Sequence, residues 1–216
     1  RELLDLSMLT CAQQSAMNFG ILLIQRLVDS FGPITMAAFA AAVKIDTFAY
    51  LPVQDFGNAF STFVAQNFGA GRTERLRRGF RQALLLSAGF SVVLSALVCI
   101  FAHPLMHIFV QAGETEVLAS GVRYLRIEGA CYVGIGCLFL LYGLYRALGK
   151  PGMSVVLTVV SLGTRVALAY LLAGRIGEIG IWMAIPIGWV LADLTGLGYY
   201  LLRRTKLLGG MEKAEI

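Results

Sequence analysis

Residues 72–102 read RTERLRRGFR followed by QALLLSAGFSVVLSALVCIFA, ten positions with five arginines and then 21 without a charged side chain. As an α-helix rising ~1.5 Å per residue, the second part is about 31 Å long, close to the ~30 Å of hydrocarbon in a bilayer. A water-soluble domain has no place for so long an uncharged helix, whereas lipid accepts it. The arginines before it mark the cytoplasmic end, because Lys and Arg are retained on that side of a membrane.

The rest of the chain repeats the unit. Apolar stretches lie near 6–28, 34–68, 80–102, 118–146, 152–173 and 179–202. They predict an all-α membrane protein, a bundle of six transmembrane helices over 1–205 with a short cytoplasmic tail over 206–216. The second stretch exceeds the bilayer thickness and holds Pro52 at its middle, so a kink or a cytoplasmic extension is expected there. Basic residues alternate between connectors: Arg72 to Arg81, then Arg146 and Lys150, then Arg203, Arg204, Lys206 and Lys213. With Arg1, twelve of the 18 Lys and Arg fall on one side. Both termini are therefore expected in the cytoplasm, with membrane lipid as the surrounding partner.

Composition excludes several classes. Apolar residues make up 57% and charged residues 14%, against ~45–50% and ~25% in soluble domains. The formal charge of +5 comes from residues beside spans and carries no groove-reading motif, so nucleic acid is not an expected partner. Gly69-Ala70-Gly71-Arg72 follows no strand and lacks the Lys-Ser/Thr ending of a phosphate loop. His103 and His107 are two imidazoles without further ligands, and no metal site is expected. No nucleophile–base set or carboxylate pair with catalytic spacing emerges, so the chain does not read as an enzyme, and no organic cofactor is implied.

The informative residues are the polar ones at membrane depth. A charge near the bilayer centre costs at least ~2.5–3.5 kcal/mol, so it must pair or face a wet cavity. Lys44, Asp46, Arg165 and Asp193 fall near mid-depth, and Glu128 lies below the arginines that open the fourth span. Asp46, Glu128, Arg165 and Asp193 are candidates for a buried charge network, either a set of packing ion pairs or an ion-coupling site. Lys44, Thr47, Asp55, Asn58, Thr62 and Gln66 return to one face of a 3.6-residue helix. Asp46 lies on another face, with Tyr50, Gln54 and Ser61, and Arg165 is its candidate partner. On the first span Gln14, Asn18 and Gln25 align, either bonding across helices or contacting a polar ligand.

Several segments resemble the C-terminal half of multidrug and toxic compound extrusion (MATE) transporters. They are Pro52 with Gly57-Asn58-Ala59, Gln66-Asn67 and Gly69-Ala70-Gly71; Tyr142-Gly143-Leu144-Tyr145-Arg146-Ala147-Leu148-Gly149-Lys150-Pro151; and Gly180-Ile181-Trp182 with Pro186-Ile187-Gly188-Trp189. The resemblance implies one six-helix lobe of a twelve-helix, two-lobe antiporter in a bacterial inner membrane. Such a protein exports drugs and organic cations by alternating access, in exchange for H+ or Na+. Gln14, Asn18, Lys44, Asp55, Asn58 and Thr62 would then line the substrate path. The chain opens on Arg1 rather than Met, as expected of a piece whose partner is an N-terminal lobe of the same polypeptide.

In some members carboxylates on the seventh and tenth helices hold a cation. The matching positions, near Ala16–Met17 and Gly134–Gly136, carry none. Coupling is then expected either in the other lobe or at Asp46 and its partners. Two alternatives stay open: a lipid-linked oligosaccharide flippase of the same superfamily, and a non-transporting membrane scaffold subunit.

Overall fold

The computed structural model describes residues 2–111 and 113–208, and these form helices and turns. In chain order they are α1 (Glu2–Asp29), α2 (Pro33–Gly69), α3 (Thr73–Ile100), α4 (Ala102–Met106), α5 (Thr115–Gly129), α6 (Tyr132–Ala147), α7 (Pro151–Ile176) and α8 (Glu178–Leu208). By length and apolar character α2, α3, α7 and α8 are each able to cross a membrane, and α5 with α6 qualifies as one bent span. The 28 residues of α1 also reach across ~30 Å of hydrocarbon, with Gln13, Gln14, Asn18 and Gln25 interrupting its apolar run. Helix α8 runs past the expected 205/206 boundary to Leu208, and 209–216 lie outside the described residues.

Sequence chemistry fixes the turns. After α2, Arg72 N–H donates to Asn67 O at 2.9 Å and Gly71 N–H to Phe68 O at 3.1 Å. After α6 the same pair recurs, with Lys150 N–H to Tyr145 O at 2.8 Å and Gly149 N–H to Arg146 O at 3.2 Å. Both are Schellman caps, which need a left-handed residue; Gly71 and Gly149 supply it at φ 68° and 66°. Pro33 and Pro151 each open a helix, where the absent N–H is of no consequence.

Helix α2, with Pro52 inside it, is one 37-residue helix, longer than ~30 Å of hydrocarbon requires. One departure from the sequence reading concerns the spans. The fourth span, expected unbroken over 118–146, is instead two helices bent by 53° at Ala130–Cys131. Cys131 N–H turns back to Glu128 O at 2.9 Å and Gly134 N–H to Cys131 O at 2.9 Å. Reading 118–146 as one apolar stretch averages out the change in composition at the break, with Arg123, Arg126 and Glu128 before it and no charged side chain after it until Arg146.

Helix α6 is the hub, packed against α2, α3, α7 and α8, and Tyr132, Leu140, Leu141, Leu144 and Tyr145 on it are wholly buried. Glycine lets it in. A Cβ on Gly143 would stand 2.6 Å from Gly57 O, and one on Gly136 2.7 Å from Ser91 Oγ. Between helices in lipid such close backbone approach replaces the hydrophobic effect as the source of adhesion. The outer surface is the inverse of a soluble protein's: Leu85 and Leu86 on α3 are each 65% exposed, as lipid contact requires.

At the end of the bundle away from the Schellman caps, the Glu178 carboxylate gathers three elements. It accepts from Thr35 of α2 at 3.1 Å and Ser120 of α5 at 2.8 Å, and it pairs with Arg123 at 3.4 Å. Beneath it, Phe39 stacks on Trp182 at 5.4 Å, with Tyr124 edge-on to both.

Gly143→Val forces α6 away from α2. The expected result is a loss of about 1–3 kcal/mol, typical of overpacking, read as a lower melting temperature of the purified protein. A melting temperature equal to the wild type would contradict the backbone contact.

Candidate functional site

Inside the bundle, α1, α2, α5, α6, α7 and α8 enclose a cavity of about 260 Å³. Helix α2 supplies Asp46, Tyr50 and Gln54, spaced four apart and therefore stacked on one face. Tyr124 and Glu128 come from the last turns of α5, immediately before the elbow. Helix α7 contributes Thr158, Ser161 and Arg165, α1 contributes Gln25, and α8 closes the space with Trp189.

Three ionisable groups share this space. Asp46 is 2% exposed and Glu128 4%, at a depth where either charge is costly unless compensated. The Tyr132 hydroxyl donates to Asp46 Oδ1, and Glu128 and the Tyr124 phenol face the same carboxylate. The other oxygens, Asp46 Oδ2 and Glu128 Oε2, are buried without a hydrogen-bond partner, and so is Arg165 Nε. Arg165 is close enough for its charge to act on both carboxylates. It bonds to neither: the ion pairs found among the described residues are Arg78–Glu74 and Arg123–Glu178. The site is thus a pair of carboxyls side by side, with a guanidinium across a gap.

The other sequence candidates lie elsewhere. Asp193 is buried on α8 one turn beyond Trp189, but it faces Cys137 and Gly134, outside the cavity lining. The stripe of α2 is on the surface: Lys44, Asp55, Asn58 and Thr62 are exposed, with the Lys44 ammonium 5.8 Å from the Phe109 ring centroid. Gln14 and Asn18 are exposed as well, while Gln25 lines the cavity. Gln13, which drew no attention in the sequence, donates to Thr158 at 2.9 Å and ties α1 to α7. His103 and His107 stack edge-on at 4.6 Å. No group of three or more metal-ligating side chains occurs among the described residues.

Sequence reasoning missed Tyr124 and Tyr132. The signal was present, since both lie four residues from Glu128, but a tyrosine in an apolar span reads as core or interface until its hydroxyl is located. The elbow hid the rest. The position near Gly134–Gly136 to which the resemblance pointed carries no carboxylate, yet Glu128, six residues before Gly134 on the other side of the bend, brings one to the cavity.

Removing the Tyr132 hydroxyl strips Asp46 of its donor. Tyr132→Phe is expected to lower stability by about 1–3 kcal/mol, the cost of an unsatisfied buried polar group. In a thermal-melt double-mutant cycle, Tyr132→Phe and Asp46→Asn should be non-additive by about 0.5 kcal/mol or more. Strict additivity would mean that the bond does not form.

Comparison with known proteins agrees with this architecture. The MatE family profile matches residues 10–171. "Probable multidrug resistance protein YpnP" of Bacillus subtilis (strain 168) is 25% identical over 197 residues, covering 91% of this chain and 44% of that protein. An "FAD transporter" of Shewanella oneidensis is 29% identical over 174 residues, covering 78% and 37%. Among solved structures, the "MATE transporter ClbM in complex with Rb+" superposes with a TM-score of 0.89 at 27% identity, covering 99% of this chain and 50% of that one. The Vibrio cholerae MATE transporter VcmN in its bent form gives 0.83 at 22% identity, covering 93% and 44%, a likeness of fold alone. The chain spans about half the length, or less, of these relatives. With its fold and a profile match over most of its length, the chain belongs to the MatE family of multi-pass membrane transporters.

Proposed function

We propose that the chain is the C-terminal lobe of an ion-coupled antiporter. It exports drugs and organic cations across a bacterial plasma membrane by alternating access, in exchange for an inward flow of protons or sodium ions. The observation that carries this reading is the carboxyl pair Asp46 and Glu128, buried side by side with one unpartnered oxygen each. A pair held that way takes up a cation readily and releases it when the cavity is rehydrated. Placement beside a broken span is also how secondary transporters assemble ion sites.

The exposed α2 stripe supports a partner surface. Lys44, Asp55, Asn58 and Thr62 are poorly suited to lipid, and they fit the wall of an aqueous substrate path shared with an N-terminal lobe. The arginine-rich turns at Arg72–Arg81 and Arg146–Lys150 favour an orientation with both ends of the lobe in the cytoplasm.

The test is efflux of a fluorescent organic cation, ethidium, from cells producing the complete gene product. Asp46→Asn and Glu128→Gln are each expected to slow efflux at least about tenfold, a barrier change of about 1.4 kcal/mol, while leaving the amount of protein in the membrane unchanged. Efflux at the wild-type rate in both variants would remove the pair from the mechanism. Asn58→Cys and Thr62→Cys are expected to react with a membrane-impermeant thiol reagent. Failure of both to react would favour a scaffold subunit whose stripe is covered by other helices.

A further inference from the structure

Arg165 is the group in the cavity that the coupling reading leaves without a task. Its stem is fixed by backbone packing: a Cβ on Gly188 would stand 3.3 Å from Arg165 Cβ and 2.5 Å from Ser161 O, so α7 and α8 leave no slack there. The side chain therefore extends into the cavity, where Nε is buried without a partner. A guanidinium spreads its positive charge over a planar fork and offers five N–H donors. Opposite it are the two orphan acceptors, Asp46 Oδ2 and Glu128 Oε2.

We propose that Arg165 acts as a tethered cation that makes the Asp46–Glu128 pair selective for protons over sodium. This inference rests on the coupling role of that pair. Two ionised carboxyls and one guanidinium leave a single negative charge to neutralise. A proton completes the balance with one lone pair, bridging the adjacent carboxyls as an O–H···O bond, and needs no further room. A sodium ion must shed its water and collect several oxygens, as hard cations do. The oxygens it would use first are the two that the guanidinium also seeks.

The other side-chain oxygens in the cavity are neutral ones, the amides of Gln25 and Gln54 and the hydroxyls of Thr158, Ser161 and the tyrosines. Asp46 Oδ1 is taken by Tyr132, so the charged oxygens left for a sodium ion belong to the two carboxyls on which the guanidinium also acts. The titratable and charged groups around the pair are Asp46 and Tyr50 from α2, Tyr124 and Glu128 from α5, Tyr132 and Tyr142 from α6, and Arg165 from α7. Helix α8 offers Trp189 there, its Asp193 lying outside the cavity, and α1 offers the amide of Gln25.

The experiment uses the complete gene product in proteoliposomes, with ethidium transport driven either by a pH gradient at equal sodium or by a sodium gradient at equal pH. Its companion is the melting temperature of the purified protein in sodium chloride against choline chloride. The wild type is expected to respond to the pH gradient alone and to melt identically in both salts. Arg165→Gln should gain a sodium-dependent rise in melting temperature and a sodium affinity at least about tenfold higher, a change of about 1.4 kcal/mol. Arg165→Lys, which keeps the charge, should behave as the wild type.

Sodium-driven transport or sodium stabilisation in the wild type overturns the inference and leaves ion coupling standing, and this arm does not depend on any variant folding. An Arg165→Gln protein as indifferent to sodium as the wild type also overturns it. Transport indifferent to both gradients overturns the coupling reading itself, and the inference with it.

Discussion

The backbone contact between Gly57 and Gly143 is the constraint on which the lobe depends. With no water to expel, two helices in lipid adhere only as well as their surfaces interdigitate, and here α2 and α6 touch main chain to main chain. That contact sets the separation of the two helices along their length. It fixes how far Asp46 on α2 stands from Tyr132 on α6, and so whether a phenol can reach a carboxylate buried beyond the reach of solvent. The same device recurs at Gly188 against Ser161, which holds α7 to α8 and aims Arg165. The polar site is a consequence of glycine packing some distance from it.

The elbow at Ala130–Cys131 is the second determinant. A straight helix from 115 to 147 would carry Tyr124, Glu128 and Tyr132 along one side in a simple four-residue progression. The 53° bend instead delivers Glu128 from the end of one segment and Tyr132 from the start of the next, converging on Asp46. Bends of this kind leave backbone groups short of partners, and in lipid they persist where the freed groups face protein or a wet interior.

Much of the architecture was legible in the residues because membrane insertion imposes coarse, one-dimensional rules. The 21 uncharged positions after Arg81, the alternation of basic connectors and the segments around Gly57 and Gly149 were sufficient for the helical bundle and the family. The site was only half legible. Asp46, Glu128 and Arg165 stood out because charge at depth is costly, whatever the fold. Asp193 satisfied the same criterion and yet lies apart, since depth says nothing about azimuth. Tyr124, Tyr132 and Gln13 are ordinary residues in such a span, and only the three-dimensional arrangement singles them out. The elbow was hidden because the charged end of α5 and the uncharged α6 read together as one apolar stretch.

The knot around Glu178 has a mechanical corollary. Thr35, Ser120 and Arg123 attach the leading turns of α2, α5 and α8 to one anchor, and the Phe39–Tyr124–Trp182 stack seals it from beneath. Three girders riveted at a common joint cannot shear past one another at that end. Whatever strain crosses the lobe must be relieved at the opposite rim, where the members are held by glycine hinges and main-chain caps rather than by a shared ionic rivet.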